Sequence, residues 1–300
     1  FILIGLWGAG LIIGSLAGAV LFSAMTGKGL MSLEKEMLNP ENVQAVRILQ
    51  LVSTFFIFFL PAFFTALIVN KKPVKFLGFN FYFSGRQVLL VVAIMLASLP
   101  LVGALSEINK LIPVPAAWEK AFKSLEDTYS QQVLLLSKIT GFRDYIISIV
   151  VMALGPAIFE ETFFRGGMQN ILQKWTKSPW LSIIITSLIF SAIHFSWYGF
   201  IPRVALGMVL GLLFWYSGSL WIAIIAHFFN NALIVTNIYY LTLQGKSIEE
   251  AMKETSPIWM GAIALVAVVA LFHVYRKLAA KERRNKMPPE DIALEEKWIT

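Results

Sequence analysis

Six polar side chains stand in stretches that are otherwise apolar. They are Glu160, Glu161 and Arg165 in "FEETFFR", His194 in "LIFSAIHFSW", and His227 and Asn231 in "IAIIAHFFNN". An ionised side chain at mid-bilayer costs about 2.5 to 3.5 kcal/mol on insertion scales, so each such residue calls for a partner or a task. On a helix, successive residues point about 100° apart, so Glu160 and Glu161 cannot share a face. Glu161 and Arg165 can, as i and i+4 with the acid on the N-terminal side, the favoured orientation for an ion pair. That pair reads as a helix brace that orients its neighbours. Glu160 is left without a local partner, so a group on another helix or a bound proton must neutralise it, and either state suits a general base or acid. Pro156, one turn earlier, frees a backbone carbonyl and bends the helix, which a membrane tolerates where the backbone lines a protected or wet cavity.

His227 and Asn231, four residues apart, bring an imidazole and an amide toward one small volume, and either can donate to an oxyanion. Asn230 points elsewhere. A lone intramembrane histidine reads as an interhelical hydrogen bond. Two of them with an unpaired glutamate, on three separate spans, read as a site. His273, in "LFHVYRK", lies near a basic helix end where its ring reaches the interface.

The elements that must position these residues are membrane spans. Of the 300 residues, 57% are hydrophobic and 14% charged, with mean hydropathy +0.71. This balance places the chain among all-α polytopic membrane proteins. Spans are expected near 1–25, 48–69, 87–106, 144–168, 179–198, 201–216, 219–241 and 257–276, eight in all, most close to the roughly 20 residues a bilayer requires. The run from Phe1 to Met25 exceeds a signal-peptide core and reads as a span. The division expected is 1–143 for three spans and an interfacial loop helix, 144–241 for a four-span catalytic core, and 242–300 for the last span and a basic tail. At about 1.5 Å per residue, Glu160 and His227 reach similar depths, whereas His194 counts deeper, so its span must begin late, tilt or bend.

The net charge of +7 comes from Lys and Arg in connections and the tail. It excludes nucleic acid as a partner and fits membrane orientation signals instead. "NKKPVK", Lys174 with Lys177, and "RKLAAKERRNK" would share the cytoplasmic face, with both termini. Trp118, Phe122, Leu125 and Tyr129 recur at helical spacing and suit a helix lying in the interface as a cap over the bundle. Gly207 and Gly211 form a small-residue step for close helix packing. With no cysteine in the chain, disulfides, thiolate zinc sites and cysteine nucleophiles are excluded.

Three motifs give these residues a family likeness. "EETFFR" (Glu160 to Arg165), "FSAIH" (Phe190 to His194) and "HFFNN" (His227 to Asn231) occur in order on three spans, with "GSL" at Gly218 to Leu220 ahead of the last. The chain resembles the CAAX protease and bacteriocin-processing family of intramembrane endopeptidases, which includes type II CAAX prenyl endopeptidases and abortive-infection proteins. The resemblance covers roughly residues 145 to 236. It implies eight helices enclosing a cavity open to the cytosolic side, and a glutamate mechanism with no cofactor and no metal. Glu160 and His194 would activate a water, His227 and Asn231 would hold the oxyanion, and Glu161 and Arg165 would support the site. The substrate implied is a membrane-anchored peptide or lipidated protein, in a bacterial or archaeal cell membrane. Two readings compete with it. One is a zinc protease using Glu160, His194 and His227 with an open fourth position. The other is a non-catalytic adaptor or immunity protein in which the polar cluster holds helices together.

Overall fold

A computed structural model describes residues 1–114, 116–246 and 256–288, so the expected tail beyond 288 lies outside the described residues. Among the described residues the regular structure is entirely helical. Seven helices are long and apolar enough to cross a membrane: α1 (Ile2–Thr26), α2 (Pro40–Val69), α3 (Gly85–Lys110), α5 (Phe142–Thr176), α7 (Phe200–Ser217), α8 (Leu220–Leu243) and α9 (Ile258–Lys286). Between them lie α4 (Glu119–Leu136) and α6 (Pro179–Ala192). The chain is an integral multi-pass membrane protein.

The fifth expected span is where structure and expectation part. Hydropathy runs through 179–198, but α6 stops at Ala192 after 14 residues. That is about 21 Å of helix, short of a hydrocarbon core of about 30 Å. The chain then turns through residues 193–199, with Phe195 at φ 51, and α7 starts at Phe200. His194 therefore sits in a turn rather than inside a helix. A helix is present in the loop where an interfacial one was expected, and it continues past Tyr129 to Leu136. The fourth span is longer than expected, 35 residues to Thr176.

Close approach decides which helices pair. On α1, Gly10 and Gly14 press against α2, where an added Cβ would come within 2.5 Å of the Phe56 carbonyl and 3.0 Å of the Ser53 carbonyl. The last helix, α9, lies along α3, and its buried Tyr275 hydroxyl donates to the Leu213 carbonyl of α7 at 3.2 Å. Buried Ile94, Met95, Leu210, Leu213 and Ile222 fill the space among α3, α7 and α8.

Hydrogen bonds gather the connections into two ends. At the basic end, the Leu220 N–H donates to the Gly78 carbonyl at 2.7 Å, and Asn80 Nδ2 to the Gly218 carbonyl at 2.7 Å. The end of α9 joins them through Lys286 and the Phe83 carbonyl. At the other end, fully buried Arg47 of α2 donates to the carbonyls of Leu136 and Lys138 at 3.0 and 2.8 Å and lies 3.5 Å from Asp144. The turn carrying His194 belongs to this second end, beside the last residues of α3.

Candidate active site

The backbone of α5 is irregular where its polar residues lie. Two wide, π-helical segments, Ile149–Leu154 and Thr162–Gln169, flank one α-helical segment, Gly155–Glu161. Such wide turns cost hydrogen-bond geometry and recur at functional sites. Pro156 explains part of this. It has no N–H to give the Met152 carbonyl four residues back. Asn231 of α8 supplies the missing donor, its Nδ2 lying 3.2 Å from that carbonyl. The freed carbonyl expected from the sequence is thus Met152's, and its partner is one of the predicted site residues.

The expected ion pair of Glu161 and Arg165 is present at 2.7 Å, with both side chains fully buried. The sequence did not reveal the third member. His227 Nδ1 lies 2.8 Å from the same Glu161 oxygen, Oε1. Because that carboxylate oxygen accepts, Nδ1 carries the proton, which leaves Nε2 of His227 as the ring's acceptor nitrogen. Arg165 also donates from Nη2 to the Gly207 carbonyl of α7 at 3.1 Å. One turn further on, Gln169 Nε2 donates to the Gly211 carbonyl at 3.1 Å. The glycine step does pack closely, since a Cβ on Gly207 would fall 2.9 Å from the Ser187 Cβ. Its carbonyls also anchor the site's polar residues. Gln169 was missed, although it follows Glu161 and Arg165 at a four-residue interval that a helical reading could have extended.

His194 is fixed in the same way as His227. Its Nδ1 lies 2.8 Å from the Phe190 carbonyl, which can only accept, so Nδ1 again donates and Nε2 stays open. Phe190 was read only as a motif residue. Its ring meets His194 at 5.2 Å and His227 edge-on at 6.0 Å, and the Arg165 guanidinium lies 4.9 Å from its centroid. It is the wall that both imidazoles share.

Glu160 receives no hydrogen bond and joins no ion pair among the described residues, yet it lies in the electrostatic field of His227, Glu161 and Arg165. His227 is likewise within electrostatic reach of His194. Glu160 and His194 each lie within electrostatic reach of His227 and do not bond to each other. Asn231 is engaged with Met152 and accepts from Asn230 Nδ2 at 3.1 Å. No group of three or more His, Cys, Asp or Glu among the described residues is gathered closely enough to hold a metal ion, so a His₂Glu zinc set finds no assembled triad here. Two cavities, of about 670 and 610 Å³, lie elsewhere, between Lys72 and Lys286 at the basic end and on the outer face of α1.

Residues 142–233 match the family described as type II CAAX prenyl endopeptidase Rce1-like. Glu160, His194, His227 and Asn231 all fall inside the match. Over 96 residues the chain is 33% identical to the uncharacterized protein YpbD of Bacillus subtilis (strain 168), a match covering 31% of this chain and 46% of that protein. The chain spans about half the length of the curated relative it matches. No solved structure matches it significantly. The matched residues take in α5 to most of α8, and α1 to α4 lie outside the match.

Proposed function

We propose that the protein is an intramembrane endopeptidase of the CAAX type that hydrolyses a peptide bond by a glutamate mechanism. One observation carries this reading. Arg165 and His227 share one oxygen of Glu161, which occupies that acid and leaves Glu160 as the carboxyl group free to act beside two oriented imidazoles. Glu160 with His194 takes a proton from water as the water oxygen bonds to the peptide carbonyl carbon. The proton then passes to the leaving amine as the C–N bond breaks. His227 as imidazolium, steadied by Glu161, and the second N–H of Asn231 donate to the oxyanion between these steps. His227 must be protonated for this role, because Nε2 of its neutral form carries no proton to donate. The substrate is a membrane-anchored peptide or lipidated protein, approached from the cytoplasm. The site supports that depth, since His227 stands seven residues, or about 10 Å, above Leu220 at the basic end.

The test compares membrane proteomes of cells carrying the wild-type protein and Glu160→Gln. New peptide ends present with the first and absent with the second are expected. A Glu160→Gln protein that folds normally and gives the same ends and the same cellular function would leave only the adaptor reading, in which the polar network serves to join helices.

A further inference from the structure

The turn that carries His194 is closed by local hydrogen bonds, among them the Phe195 N–H to the Ala192 carbonyl and the Phe200 N–H to the Trp197 carbonyl, and by one residue of another helix. The turn ends at Gly199, the N-cap of α7, which offers no side chain to the orphan N–H groups of that helix. Pro202 removes one of those N–H groups, and the Ile201 N–H needs a partner. The partner comes from α3: Asn109 Oδ1 accepts from the Ile201 N–H at 2.9 Å, while Asn109 Nδ2 donates to the Trp197 carbonyl at 2.8 Å. One amide thus closes both sides of the turn, from a residue 2% exposed. Ser191 completes the loop by donating to the Phe200 carbonyl at 2.7 Å. Inside this clasp Phe195 is held at φ 51, a conformation uncommon for an aromatic residue, which persists only where its surroundings fix it.

We propose that Asn109 is a positioning residue for His194: it caps α7 from another helix and so sets where the His194 imidazole stands relative to Glu160. This rests on the reading of His194 as a catalytic group, and it extends the site beyond the matched residues into the N-terminal helices. Its chemistry is specific, because the position needs an acceptor toward Ile201 and a donor toward Trp197 at once. Among residues of this size and shape, only an amide or a protonated carboxyl group provides both.

The chain has only three histidines, which makes a direct test possible. Full-length protein with ¹⁵N-labelled imidazoles gives side-chain signals for His194, His227 and His273, assigned by single His→Gln substitutions. In Asn109→Leu and Asn109→Asp the His194 signal is expected to shift while those of His227 and His273 stay in place. Three unmoved signals, or three moving together, would overturn the proposal. In a second arm, purified protein cuts a peptide copied from a Glu160-dependent cleavage site. Both variants are expected to lose at least tenfold in kcat with KM held within about twofold, the scale on which misplacing a reacting group acts. As pH falls, Asn109→Asp regains activity relative to wild type, since its protonated carboxyl group again donates to Trp197, and Asn109→Leu does not. Wild-type kcat in either variant, or no such difference in pH profile, counts against it. If Asn109→Leu fails to accumulate, the isosteric Asn109→Asp carries the test alone. If Glu160→Gln removes no peptide ends, the peptidase reading falls, and the imidazole signals still decide what Asn109 does.

Discussion

Glu160 and Glu161 are neighbours in sequence with opposite surroundings, and their substitutions should separate accordingly. Glu161 neutralises Arg165 and orients His227 with both ion-pair side chains fully buried, so Glu161→Gln leaves a guanidinium buried without its counter-charge. Breaking one partner of a buried pair costs about 3–5 kcal/mol. Glu161→Gln is therefore expected to lower thermal stability markedly in detergent. Glu160→Gln, which breaks no hydrogen bond or ion pair found here, is expected to keep wild-type stability while abolishing cleavage. Equal melting temperatures for the two variants would contradict this division. The Glu161–Arg165 contact was legible because i and i+4 on one helix must meet. The bond from Glu161 to His227 was not, because it crosses 66 positions and depends on how α5 and α8 dock.

At the scale of the helix, apolarity alone misplaced the end of α6. The span expected at 179–198 ran on through "HFSWY", which instead lies in a turn. Phe195 at positive φ and the sequence Gly199 to Pro202 end one helix and start the next. The two wide segments of α5 were likewise invisible, since residue pattern does not report one extra residue in each hydrogen-bonded turn. Pro156 alone gave a signal there. Where helices touch closely the pattern was readable. Gly207 predicted an intimate contact, and Ser187 lies against it. Gly207→Val should force α6 and α7 apart at a cost of about 1–3 kcal/mol and weaken the Arg165 bond to the Gly207 carbonyl. Thermal unfolding measures the first effect. A valine accommodated with no loss of stability would mean the two helices are not locked at this level.

Across the whole molecule, composition already required a helical membrane protein, and the recurring apolar runs located most of its spans. What composition could not give was which loops meet at each end, because that follows from docking. The connections carrying Lys177 and Tyr198 lie at opposite ends of α6, Lys177 on the basic side and Tyr198 in the His194 turn, where it is 45% exposed. The absence of native cysteine lets single substitutions report this without background. With a membrane-impermeant maleimide, Lys177→Cys and Tyr198→Cys are expected to label from opposite sides of intact cells, with Lys177→Cys accessible only after permeabilisation. Labelling of both from one side would refute the single crossing by α6 and the turn.

Pro156 and Asn231 bear on how such a protein changes over generations. The proline leaves the Met152 carbonyl of α5 without its helical donor, and the amide on α8 answers it. A substitution that restored an N–H at 156 would release Asn231 from half its task, whereas loss of the amide while proline remains would strand a buried carbonyl. The two positions are bound to a historical order: in a descendant lineage the proline can be lost first, and the asparagine becomes free to vary only afterwards, as far as the reaction itself allows.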